Sequence, residues 1–149
     1  MIMARTDAIG TDGFQEALDR MALFQEIGVA LFFVEAPTDL NQLRQIPQEI
    51  SGPCVVNLID GGATPLLSAA ECEDLGYAAC AVPVAATHVV VKALETFYRD
   101  LLKSGDLRDA MQHGVGFQAY TDLVGLPQQR KAEQAYLDQA REILERRDG

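Results

Sequence analysis

Four polar residues of this chain fall at or just past the ends of short apolar runs, and their types could together bind a small anion. Arg5 follows residues 1–4, with Asp7 two positions on. Glu35 follows 29–34, and Asn57 lies near the end of 53–58. The run 77–82 passes into Pro83, with Thr87 and His88 a few residues further. An arginine offers a planar fork of donors to a carboxylate or phosphonate, and Asp7 would hold that guanidinium from behind. Glu35 would accept from a ligand hydroxyl, an active-site water or a metal's water shell. Asn57 would donate to a carboxylate oxygen without adding charge. His88 stands near the start of an apolar helical stretch, where a lone histidine is more often structural than catalytic. An Arg5–Glu35 ion pair that merely closes the end of a sheet, with Asn57 finishing a turn, is the competing reading.

These residues need elements to bring them together, and the apolar pattern supplies them. Runs at 1–4, 29–34, 53–58 and 77–82 are short and continuous, as in parallel strands covered on both faces. Between them lie stretches of helical spacing. Residues 14–27 carry Ala17, Leu18, Met21, Ala22, Phe24 and Ile27, with Gly28 as a C-terminal cap. Thr38 and Asp39 open a helix to about Ile50, which Pro47 should kink or end early. Ser68 and Glu71 form a capping box for a short helix ending at Gly76. A longer helix spans 86–102. Four successive β-then-α units predict a parallel sheet with right-handed crossovers.

Beyond Ser104 the rhythm changes. Residues 107–112 and 117–123 read as short helical pieces, and Pro127 precedes a charged helix over 128–147 with a thin apolar stripe. The expected organisation is therefore 1–104 as four β/α units and 105–149 as a C-terminal helical segment. Gly10-Thr11-Asp12-Gly13 reads as a turn, and His113, beside Gly114, as a loop residue.

Composition narrows the function classes. The 149 residues carry a formal net charge of −10, from 22 acidic and 12 basic side chains. Such a surface repels nucleic-acid phosphates and anionic lipid, so neither partner is expected. Cys54, Cys72 and Cys80 are odd in number and fit no zinc spacing, which points to reduced thiols in a cytoplasmic protein. No signal peptide is evident, and no apolar run approaches the roughly 20 residues that span a bilayer. No Ser-His-Asp arrangement, metal-ligand spacing or phosphate-cradling glycine loop occurs.

At the strand ends the residues become recognisable. Ala4-Arg5-Thr6-Asp7-Ala8, Phe33-Val34-Glu35-Ala36-Pro37, and Asn57 through Asp60-Gly61-Gly62 resemble the isocitrate lyase/phosphoenolpyruvate mutase superfamily. Thr64-Pro65 and Leu75-Gly76-Tyr77 follow in the family's order and at about its spacing, and the stretch from Asp122 to Pro127 is similar to its C-terminal region. The similarity is greatest to the 2-methylisocitrate lyase and phosphonomutase branches. It implies the C-terminal half of a (β/α)8 barrel that acts on small α-oxo or hydroxy carboxylates through a Mg2+-stabilised enolate. By position it implies that Arg5, Glu35 and Asn57 contact substrate. His88 stands where the lyases usually have an arginine for a second carboxylate.

The family's Mg2+ aspartates and catalytic cysteine loop precede the Arg-Thr-Asp-Ala strand. Since Met1 begins that strand here, no metal ligand is expected in this chain, which reads as truncated at its N-terminus. Four β/α units cannot close an eight-stranded barrel, so a homo-oligomer is expected. Two half-barrels closing each other, or exchange of the 128–147 helix, would provide it. The alternative is a non-catalytic half-barrel that at most binds a small carboxylate. A flavodoxin-like sheet is a third, weaker possibility.

Overall fold

The computed structural model describes residues 1–147. Strands β1 (Met3–Thr6), β2 (Leu31–Val34), β3 (Cys54–Asn57) and β4 (Ala79–Ala81) form one sheet in the order β1-β2-β3-β4. Every neighbouring pair is parallel. Between and after them run helices α1 (Ala8–Thr11), α2 (Phe14–Glu26), α3 (Leu40–Glu49), α4 (Ala69–Asp74) and α5 (Ala85–Ser104). A sheet that always advances in one direction, through crossovers of one hand, keeps its helices on one face. A doubly wound sheet reverses direction instead, so the strand order excludes the flavodoxin-like alternative. The architecture is that of a half barrel.

The core lies between the sheet and those helices. Phe32, Val34, Cys54 and Val56 point into it from the strands, and Ala17, Met21, Leu43, Ile46, Ile50 and Cys72 from the helices. All of these strand residues are even-numbered. Because side chains alternate along a strand, the odd-numbered residues Met3, Arg5, Leu31, Phe33, Val55, Asn57, Ala79 and Ala81 take the other face. No helix of this part of the chain covers that face, so covering on both faces, expected from the apolar runs, is not what these residues build.

Local details depart from expectation in instructive ways. β1 begins at Met3 rather than Met1 and runs past Ala4, because Arg5 and Thr6 still pair with Phe33 and Val34. A short helix, α1, occupies part of the stretch read as a turn, and the Thr6 hydroxyl accepts from the Ala8 N–H at its entrance. The helix starts at Asp39 and Ser68 are as expected. Asp39 accepts from the Asn41 and Gln42 N–H groups, and Ser68 and Glu71 cap each other reciprocally.

Pro47 does not end α3 early; the helix runs on to Glu49. A proline removes the N–H that would reach the carbonyl one turn back, here that of Leu43. The Tyr77 hydroxyl donates to that carbonyl at 2.9 Å from the following β/α unit, and both groups are buried. Burial pushes the Tyr77 phenol above its ordinary pKa, so it stays a donor. Gly76, at φ +96°, lets the backbone pass Pro47, whose Cβ would lie 3.4 Å from any added Cβ.

The chain divides into two compact units, Met1–Val91 and Lys92–Gly149, with the boundary inside α5. The second contains α6 (Leu107–Ala110), a 3-10 turn (Met111–His113), α7 (Phe117–Leu123) and α8 (Leu126–Arg147). Asp106 caps α6 by accepting from the Arg108 N–H. Along α8, Tyr136, Leu137, Ile143 and Leu144 are all exposed. No helix among the described residues is long and apolar enough to cross a membrane.

Tyr77→Phe should leave the Leu43 carbonyl buried and unpaired. The expected loss is about 1–3 kcal/mol of stability by urea unfolding. A change near zero would mean that Leu43 finds another donor.

Candidate functional site

The register of the sheet assembles the site. Arg5 pairs with Phe33 and Phe33 with Val55, so two residues further on Asp7, Glu35 and Asn57 come level. All are odd-numbered and share the face that carries no helix. The side chains meet there. Arg5 donates from Nε to Asp7 Oδ2 at 3.0 Å and from Nη2 to Asp7 Oδ1 at 2.7 Å. Its Nη2 also lies 3.2 Å from Glu35 Oε2. The Asn57 amide donates to the same Glu35 oxygen, also at 3.2 Å. One carboxylate oxygen thus joins the first strand to the third.

This arrangement limits what each group can offer. The Arg5 fork is spent on Asp7 and Glu35, so only Nη1 remains for a ligand. Glu35 keeps Oε1, and Asn57 keeps its carbonyl oxygen and one amide hydrogen. Arg5 is about half exposed, and Glu35 only 20% exposed. The three charged groups sum to −1. The hydrogen bond from Arg5 holds the Asp7 carboxyl below its ordinary pKa. Asp7 and then Glu35 hold the Arg5 guanidinium above its own.

Beneath the guanidinium lies the Phe33 ring, with its centroid 5.0 Å from Arg5 Cζ. Phe33 is 4% exposed although it faces away from the helices. A cation over an aromatic face is attracted to it, and the ring also limits where Arg5 can lie. Sequence reading passed over Phe33 as a strand residue. Its signal was register, since it is the cross-strand partner of Arg5.

Two residues at this rim hold backbone that side chains rarely adopt. Ala36 (φ 58°), directly after Glu35, and Val84 (φ 57°), shortly after β4, lie in the left-handed region without being glycine. Such strain persists where the surrounding fold imposes it. The strain at Ala36 turns the chain between Glu35 and Pro37.

The structure therefore brings Arg5, Asp7, Glu35 and Asn57 together. His88 lies in the first turn of α5, exposed, and no hydrogen bond or ion pair links it to the others among the described residues. Cys54 and Cys72 are buried and Cys80 half-buried, all unbridged. Burial pushes the Cys54 thiol up to about 11, which keeps it unreactive. Among the described residues no group of three or more histidine, cysteine, aspartate or glutamate side chains could hold a metal. Both Asp7 oxygens face Arg5, so the residues present do not by themselves fit Mg2+.

A one-directional parallel sheet with helices on one face, and a polar cluster at the carboxyl ends of its strands, define a half barrel of the (β/α)8 type. By sequence and by fold the chain belongs to the isocitrate lyase/phosphoenolpyruvate mutase superfamily. It is 38% identical over 136 residues to 2,3-dimethylmalate lyase of Eubacterium barkeri, covering 91% of this chain and 47% of that protein. It is 30% identical over 146 residues to 2-methylisocitrate lyase of Aeropyrum pernix, covering 98% and 47%. A crystal structure of 2,3-dimethylmalate lyase superimposes with a TM-score of 0.81 at 28% identity, over 91% of this chain and 48% of that one. The chain thus spans about half the length of the relatives it matches. No protein-family model matches it.

Asp7 should titrate below the ordinary aspartate value of 3.8, and return toward it in Arg5→Ala. Carboxyl-carbon NMR reads both. The sign follows from the lowered folded-state value. The Arg5–Asp7 clamp stabilises the fold above the unfolded pKa and is lost as pH falls through the folded one. An Asp7 curve identical in the two proteins would mean that the clamp does not form in solution.

Proposed function

We propose that this chain supplies the carboxylate-gripping side of a carbon–carbon lyase or phosphonomutase site for small 2-oxo or 2-hydroxy acids. The observation that carries this reading is the meeting of Arg5 and Asn57 on one oxygen of Glu35, at the carboxyl ends of consecutive strands in a member of this superfamily. Arg5 Nη1 donates to the ligand carboxylate, held by Asp7 and Phe33. Glu35 Oε1 accepts from the ligand hydroxyl. The remaining Asn57 amide hydrogen donates to a ligand oxygen. Breaking a bond beside such a group leaves charge that spreads onto oxygen as an enolate, and donors fixed beforehand lower its energy. His88 lies near the same end of β4 and would reach only the far part of a longer ligand.

Mg2+, which the resemblance implies, would need ligands beyond those described, so these residues are given no metal step. A homo-oligomer belongs to the same reading, supported by exposed apolar side chains on α5 and α8, with α8 as the arm for any exchange. So does a cytoplasmic location, supported by three unbridged cysteines.

A second reading is a non-catalytic carboxylate binder. It is favoured by one observation, that the Arg5 fork is already occupied and no metal-binding group accompanies it. Turnover by the chain tests the binder reading alone, since the proposed site would draw its metal ligands from beyond the described residues. On the binder reading the chain shows no cleavage of 2,3-dimethylmalate or 2-methylisocitrate with or without added Mg2+. Turnover abolished by Arg5→Ala rules the binder reading out.

Binding itself is tested by NMR titration of the chain with 2,3-dimethylmalate. Saturable shifts are expected at the Asn57 side-chain amide. Arg5→Ala should weaken binding about 10- to 100-fold, as loss of a charge-assisted hydrogen bond does. Equal affinity in the two proteins would place the site elsewhere.

A further inference from the structure

The geometry points to Glu35 as the residue that makes this site choose a 2-hydroxy acid over the 2-oxo acid of the same skeleton. This rests on the carboxylate-gripping reading above and narrows the ligand class that reading left open. Oε2 of Glu35 is taken by two donors, Arg5 Nη2 and the Asn57 amide, each at 3.2 Å. Its other oxygen, Oε1, is the one left for a ligand. A carboxylate has no proton to give, so the group that meets Oε1 has to be a donor.

The carboxylate is held in place from several sides. The Glu35 N–H donates to the Thr6 carbonyl at 2.9 Å, and the left-handed turn at Ala36 follows directly. The side chain is only 20% exposed, so water does little to relieve a mismatched neighbour. Arg5 is fixed by its two bonds to Asp7 and by the Phe33 ring, which leaves Nη1 as its donor to the ligand. A ligand carboxylate held by Nη1 on β1 sets the oxygen of its neighbouring carbon toward β2, where Glu35 stands. In a 2-hydroxy acid that oxygen carries a hydrogen and donates to Oε1. In a 2-oxo acid it carries lone pairs alone, and two acceptors meet. Arg5 and Asn57 donate equally well to the carboxylate of either acid, so neither tells them apart. A site built around a substrate hydroxyl rejects the analogue lacking it far more strongly than an apolar pocket does.

Glu35→Gln separates this role from simple charge. Both neighbours of Oε2 are donors, so the new amide must place its oxygen there and its NH2 at the position of Oε1. An acceptor thereby becomes a donor, able to meet a carbonyl. Loss of one negative charge favours every anion alike. The ratio of affinities for two acids of equal charge therefore reads the hydrogen bond alone.

The full chain is titrated with malate and with oxaloacetate, following the Asn57 side-chain amide by NMR. Malate should bind at least about tenfold more tightly, as a matched hydrogen bond to a charged group does. Lactate should likewise bind more tightly than pyruvate, although both lack a second carboxylate. In Glu35→Gln the malate-to-oxaloacetate preference should fall at least about tenfold, chiefly through tighter oxaloacetate binding. A dispersed amide spectrum checks that the variant folds, and the ratio in the unaltered chain is a test in its own right. Equal affinities there, or a preference for oxaloacetate, overturn the selection while the carboxylate-gripping reading stands. An unchanged ratio in Glu35→Gln overturns it too, by placing the selection elsewhere. Should neither acid move the Asn57 amide, the gripping reading itself falls, and this inference with it.

Discussion

The parallel register of β1, β2 and β3 is the constraint on which the rest of this molecule depends. Pairing Arg5 with Phe33 and Phe33 with Val55 sets which residues come level two positions later. A slip of one residue would turn Arg5, Glu35 and Asn57 toward the helices, where an unpaired charge is costly. The even-numbered face resists that slip because Phe32, Val34, Cys54 and Val56 are buried there. Hydrophobic burial on one face thus aims the polar residues on the other.

The cluster so assembled is tightly self-satisfied. Arg5 is gripped from the side by Asp7, from the front by Glu35 and from below by Phe33. Such a group is ordered before any ligand arrives, which lowers the entropy lost on binding. It also presents fewer free donors than an isolated arginine, and a net negative charge. The same contacts that position Arg5 therefore restrain how it can meet an anion. On the function proposed above, this balance suits a group that orients a ligand and leaves the developing charge to be neutralised in part by other groups.

Away from the rim, the fold solves its local conflicts through neighbouring units. Pro47 deprives Leu43 of its helical partner, and Tyr77 from the next unit replaces it. Gly76 makes room for that approach. A residue that looks disruptive within its own helix thereby becomes part of the joint between two β/α units.

Much of this was legible in the residues alone. Continuous apolar runs marked four strands, and Asp39 and Ser68 marked helix starts, because capping and burial act within a few residues along the chain. The positions of Arg5, Glu35 and Asn57 at strand ends pointed to a common site and to the superfamily. The helical continuation through Pro47 was not legible, since the compensating hydroxyl lies 30 or more residues away in sequence. Nor was the role of Phe33, which only register reveals. The sequence by itself determined the elements, the polar triad and the family. Only the tertiary structure decided that Arg5 spends its fork on Asp7 and Glu35, and that Glu35 Oε2 also accepts from Asn57. Those are contacts between strands, and their geometry is set by pairing and packing at a distance along the chain.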